Sequence, residues 1–161
     1  MLNRRLVRVL GLLLFLSGCG TFKYNRAWSR FEAAPQSAGF EGRWKGEWKS
    51  DWNGHSGKLR CMVSLEEENR YLAWFHSTYG IFSFRHKVIF TLTEESDDQL
   101  QFEGEEDLGK MVGGVYRYRG TVSGDAFGAT YAADNGDHGV FDMTRVDVRD
   151  VESTATAVRS F

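Results

Sequence analysis

Apolar and polar residues alternate through most of this chain, and the alternation starts at Phe40. In "FEGRWKGEWKS", Phe40, Gly42, Trp44, Gly46 and Trp48 fall on one side and Glu41, Arg43, Lys45, Glu47 and Lys49 on the other. That is the period-2 signature of a half-buried strand with a charged outer face. The period recurs in "KLRCMVSLE", where Leu59, Cys61, Val63 and Leu65 alternate with polar residues. "FSFRHKVIFTL" sets Phe82, Phe84, His86, Val88, Phe90 and Leu92 on one side, and "QLQFEGEEDL", "VYRYRGTV", "AFGATYA" and "GVFDMTRV" continue the pattern. "YLAWFHSTY" is apolar on both faces and leaves its register open. Turn residues punctuate the runs at Asn53-Gly54, Glu68-Asn69, Asp97-Asp98, Gly113-Gly114, Gly124-Asp125 and Asn135-Gly136, the signals that join antiparallel neighbours. The pattern predicts an all-β domain over residues 39–147, with eight short antiparallel strands forming a sandwich or, as the preferred reading, a single up-and-down barrel. Closure is favoured because it leaves no open edge.

The inward positions are crowded. Trp44, Trp48, Phe82, Phe84, Phe90, Phe102, Tyr116, Tyr118, Phe127, Tyr131 and Phe141 share the inner face, and each aromatic of this kind buries about 150–250 Å². Glycines at 42, 46, 104 and 120 partly offset that bulk. An eight-stranded barrel is either filled by its side chains or holds one small ligand. The aromatic count predicts a mostly filled interior, Phe84 included, with any pocket small, aromatic and near one mouth. Cys61 alternates with Leu59 and Val63 and is expected to pack inward as a reduced, inert thiol.

Ahead of the barrel the chain reads differently. "MLNRRLVRVLGLLLFLSGC" has a positive start at Arg4, Arg5 and Arg8, an apolar centre over Val9–Leu16, and small residues before Cys19. Residues 1–18 have the layout of a secretory signal peptide, with an apolar centre too short for a spanning helix, which needs about 20 residues. "LSGC" resembles the lipobox of bacterial lipoproteins. The resemblance implies cleavage before Cys19, a diacylglyceryl thioether on its sulfur and a fatty acid such as palmitate on the freed amine. It also implies a membrane-anchored protein on the extracytoplasmic side. Gly20 replaces the aspartate that retains enteric-type lipoproteins at the inner membrane, so the expected location is the outer membrane, facing the periplasm. Residues 19–38, with the only proline, read as the lipidated cysteine and a tether, with a single helical turn around Trp28 to Ala34. The tail 148–161 loses the pattern and is expected to fray.

"GRW" at Gly42–Trp44, together with Arg145 near the end of the last strand, resembles the calycin superfamily of lipocalins, fatty-acid-binding proteins and avidins. There a first-strand G-x-W tryptophan closes one end of the barrel and a basic residue from the last strand packs across it. The resemblance implies a lipocalin-like barrel, contact between Trp44 and Arg145, and a small apolar ligand held inside. The candidate ligand-binding set is then Trp44, Trp48, Phe84, His86, Tyr116, Tyr118 and Arg145, with His86 singled out by sharing a face with Phe84 and Val88.

Charge and motif narrow the function. The formal charge is −2, and removing the leader's three arginines takes it to −5, which gives no electrostatic reason to seek nucleic acid. "YRYRG" places tyrosines on one strand face and arginines on the other. "GEEDLGKM" has the glycines and lysine of a phosphate loop, but Met111 stands where Ser or Thr should hold magnesium, and three carboxylates would repel phosphate. "DNGDHG" lacks the spacing of a calcium loop and reads as a hairpin turn. No cofactor, metal site or catalytic set is expected. A membrane-spanning barrel is disfavoured by the charges on the outer face. The expectation is a non-catalytic scaffold or interaction domain, partnered by membrane lipid through its anchor and by an envelope protein. The alternative is a calycin-like cup for a small apolar ligand.

Overall fold

A computed structural model describes residues 20–31 and 39–146. The leader, Cys19, residues 32–38 and the tail lie outside the described residues. The strands are β1 (Gly42–Ser50), β2 (Ser56–Glu67), β3 (Arg70–Tyr79), β4 (Phe82–Glu95), β5 (Leu100–Asp107), β6 (Val115–Ser123), β7 (Ala126–Ala133) and β8 (His138–Arg145). Each pairs antiparallel with the next, and β1 pairs with β8, closing an up-and-down barrel. Alternation aims one side of every strand inward, and hairpins fix the register. Trp44 stands opposite Cys61 on β2 and Arg145 on β8; Trp48 stands opposite Phe141.

Because the strands run up and down, one end of the barrel gathers the β2–β3, β4–β5 and β6–β7 turns. The other gathers the β1–β2, β3–β4, β5–β6 and β7–β8 turns. The first end is closed. Phe40, just ahead of β1, tucks into it fully buried, with its ring 4.7 Å from Phe102, 5.7 Å from Phe127 and 5.8 Å from Phe90. The rings need room that their neighbours supply: a Cβ on Gly104 would lie 2.6 Å from the Phe90 ring. Cys61 is buried in this core as a free thiol, and burial holds its pKa well above the usual range.

The second end differs from the sequence reading. Phe82 and Phe84 share a face with buried Val88 and Phe90, but Phe84 is 50% exposed and Phe82 more so. They belong to the start of β4, which reaches the open rim with its partner β3 instead of the core. Phe84 therefore does not fill the interior. Leu65 is likewise exposed at the far end of β2, where the register shifts between Leu65 and Glu67.

The segment before the barrel also departs from expectation. Residues 20–30 form a helix, α1, which starts earlier than the single turn expected around Trp28 to Ala34; residues 32–34 of that expected turn lie outside the described residues. The helix lies against the outside of the barrel. Tyr24 is fully buried there, its ring 5.2 Å from Trp74 and 5.0 Å from His76 on β3. The Arg60 guanidinium lies 5.2 Å from the Tyr24 ring and 5.3 Å from Trp28, and its Nη2 donates to Asn25 Oδ1 at 2.8 Å. Cation–π contacts of this kind contribute about 0.5–2 kcal/mol. This cover explains why "YLAWFHSTY" is apolar on both faces. Its inner face meets the core, and Trp74 and His76 on its outer face meet α1.

Candidate functional site

The open end holds a cavity of about 280 Å³. Its position follows from packing. Phe40, Phe90, Phe102 and Phe127 fill the closed end, while at the open end Leu59, Tyr118 and Phe141 reach the cavity wall. Above them stand Trp48, Phe84, His86, Tyr116 and Tyr131, with Tyr79, His55 and Val112 at the rim.

The wall is fixed by hydrogen bonds and stacking. Trp48 Nε1 donates to the Thr78 carbonyl at 3.1 Å, which holds the indole edge-on across β2 to β3. Tyr116 donates from its hydroxyl to the Val112 carbonyl at 2.9 Å, tying β6 to the β5–β6 loop. The Tyr116 and Tyr131 rings stack at 5.9 Å, and Tyr131 packs on Phe141 at 5.3 Å. His55 stacks on Tyr79 at 4.4 Å. Polar side chains interrupt this aromatic lining at Asn53, Ser77, His86 and Asp137. His86 Nε2 is 3.3 Å from the Tyr118 hydroxyl, with the imidazole stacked on Phe75 at 5.1 Å. Asp137 Oδ1 accepts from Ser50 Oγ at 2.7 Å and from the Tyr131 hydroxyl at 3.3 Å.

Burial sets the protonation of these groups. Removing imidazolium from water lowers the His86 pKa to about 4, so the ring is neutral at pH 7. The Tyr116, Tyr118 and Tyr131 phenols are all raised, chiefly by burial; the Asp137 charge adds to the shift at Tyr116 and Tyr131. The lining is mainly aromatic, with the neutral His86 ring and the Asp137 side chain among the polar points on the wall.

Five of the seven residues named from sequence line this cavity: Trp48, Phe84, His86, Tyr116 and Tyr118. Trp44 and Arg145 do not. They lie at the closed end, where the Arg145 guanidinium sits 4.2 Å from the Trp44 ring. Arg145 Nη1 and Nη2 donate to the Glu41 and Gly39 carbonyls, both at 2.6 Å, and Nε pairs with Asp125 at 3.2 Å. Trp44 Nε1 donates to the Phe40 carbonyl at 3.2 Å. Gly42 has φ +147, and a Cβ there would fall 2.6 Å from Arg145 Nη1. The glycine and tryptophan of "GRW" thus both serve the arginine clasp. Cys19 lies outside the described residues.

Sequence reasoning missed Asp137, Tyr131, Tyr79 and His55 as wall residues. Strand parity held the signal. Once eight up-and-down strands are assigned, the loops containing Asn53-Gly54 and "DNGDHG" must lie at one end, beside the start of β4. Among the described residues, no group of three or more His, Cys, Asp or Glu side chains is placed to hold a metal ion. Compared with known proteins, the chain matches no family model, and no curated protein is significantly similar to it.

Proposed function

We propose that this protein is a non-catalytic envelope lipoprotein, anchored through acyl chains on Cys19, whose packed barrel holds a small aromatic cup for one small apolar ligand. The observation that carries the cup is the cavity itself, about 280 Å³, open to one side and walled by rings. Ligand sites are typically concave, largely apolar and supplied with a few convergent polar groups, here His86, Tyr118 and Asp137. An apolar cavity of about 150 Å³ admits benzene, so this one suits a one- or two-ring molecule or a short acyl segment. It is too small for a long-chain lipid in full.

Supporting the anchor are the lipobox resemblance and the charged outer wall. Among the described residues no helix is long and apolar enough to cross a membrane. The wall carries ion pairs Arg117–Glu105, Arg117–Asp134 and Arg119–Glu103, which a lipid-facing barrel surface would not tolerate at depth. The outer membrane, facing the periplasm, is the proposed location. A second reading, a scaffold that binds an envelope protein, is favoured by the filled closed end.

Native mass spectrometry of the protein from its own membranes, with titration of a neutral naphthylamine probe, tests the cup. A retained small molecule, or saturable probe binding lost in Tyr118→Trp, is expected. Failure to bind any neutral aromatic probe would leave the scaffold reading.

A further inference from the structure

Exposed apolar side chains are concentrated at one end of the barrel. Of the nine large apolar side chains exposed among the described residues, seven lie at the open end: Trp52, Tyr79, Ile81, Phe82, Phe84, Met111 and Val112. They come from three of the four loops there, and Ile81 is 94% exposed at the tip of the β3–β4 turn. At the closed end the turns carry exposed Glu66, Glu67, Glu68, Asp97, Asp98 and Asp125. Loop tips are normally polar because they meet water. Three neighbouring tips that present indole, phenyl and aliphatic groups form a surface with an apolar counterpart.

The path of α1 says what that counterpart is. Its start lies beside β4: Gly20 is against the Arg85 guanidinium, and Arg85 Nη1 donates to Thr21 Oγ1. Arg85 is three residues from Phe82, so about 10 Å of strand separates it from the rim. The helix then runs away from the rim, and Trp28 reaches Arg43 near the closed-end start of β1. The chain therefore enters the structure on the open side, and Cys19 is joined directly to Gly20. Phe22, on the first described turn of α1, is exposed as well.

We propose that the open mouth faces the bilayer, with Trp52, Ile81, Phe82, Met111 and Val112 seated in its interface. This rests on the acyl anchor at Cys19. Indole and phenyl groups favour the headgroup level of a membrane, and apolar side chains add to the binding an acyl anchor supplies. Lys110 adjoins Met111 at one tip, where it meets anionic headgroups. Exposed Asp51, Asp107 and Asp134 also lie at the open end, so the apolar side chains and the anchor, rather than net charge, hold the rim at the lipid surface. In this orientation the cup opens onto lipid, and its ligand enters from the membrane.

The test uses full-length protein purified from membranes and reconstituted in vesicles of phosphatidylethanolamine and phosphatidylglycerol. An environment-sensitive thiol label is placed at Ile81→Cys, Met111→Cys or Asp97→Cys. Cys61 is buried, so wild-type protein that takes label reports an unmodified Cys19. The expected result is no label on wild type, with blue-shifted emission and several-fold stronger quenching by brominated lipid at positions 81 and 111 than at 97. Flotation with the vesicles while 81 and 111 remain water-like overturns the orientation and leaves the anchor standing. A blue shift already complete before lipid is added means another protein surface covers the rim, and also overturns it. Labelled wild type that fails to float removes anchor and orientation together. Labelled wild type that floats with its rim quenched removes the anchor alone.

Discussion

The closed and open ends of this barrel are built from the same residue types to opposite effect. Both are aromatic. At the closed end Phe40, Phe90, Phe102 and Phe127 pack with ring centroids 4.6–5.8 Å apart and are essentially fully buried. At the open end Trp48, Phe84, Tyr116 and Tyr131 stand around a void, and the rings beyond them face outward. The cause is the strand ends. The closed end receives an extra plug, Phe40, and an arginine clasp over Trp44; the open end receives loops that flank the mouth without filling it. Packing there is traded for access, and the same aromatic that stabilises one end is available for contact at the other.

The largest effect expected from that difference is in core truncation. Phe90→Ala removes a fully buried ring from a filled cluster and should cost about 3–5 kcal/mol. Phe84→Ala removes a half-exposed ring bordering a void, and about 1 kcal/mol or less is expected. Denaturant melts of the two variants compare the ends directly. Equal costs would mean that the mouth is packed as tightly as the plug.

The arginine clasp is next. Arg145→Ala loses the cation–π contact and leaves the Glu41 and Gly39 carbonyls without their donor, which should cost about 2 kcal/mol. A double-mutant cycle with Trp44→Leu should return a coupling of about 0.5–2 kcal/mol. Additive costs would show that the two residues close the barrel independently. Probe binding at the mouth should survive either change in any molecules that remain folded, because four residues of β1, about 13 Å, separate Trp44 from Trp48.

How much of this was legible in the sequence varies by level. All eight strands were, because period 2 and the glycine and asparagine turn residues act locally. The clasp was too, through "GRW" and Arg145. What period 2 does not encode is height along the barrel. Phe84 and Phe90 occupy the same face and look alike in the pattern; only the overshoot of β3 and β4 separates them, and that depends on where neighbouring strands end. The aromatic count was therefore right about the closed end and overstated the filling of the open one. Helix α1 left a signal. Tyr24, Ala27, Trp28 and Phe31 recur at helical spacing, and Trp74 with His76 on an outer strand face called for a cover.

The smallest effect separates the ends by proton. At the closed end the clasp cation is a guanidinium, which stays charged across the working range. At the mouth His86 is held neutral by burial, its pKa lowered to about 4 from an unfolded value of 6.5. Between those values the unfolded chain binds a proton that the folded chain does not, so folding loses stability as pH falls through that window and regains it above. By pH 6 the loss from this one group is about 1 kcal/mol. His76, beneath α1, shifts the same way through burial and the charges of Arg60 and Arg85, so wild-type melts alone would not assign the effect. The assignment comes from His86→Gln, melted at pH 8 and pH 6 beside wild type. Any packing cost of the substitution is common to both conditions and cancels, as does the contribution of His76. The variant should lose about 1 kcal/mol less than wild type on acidification. An identical pH difference in both proteins would mean that His86 reaches water through the mouth, and that the cup is wetter than its rings imply.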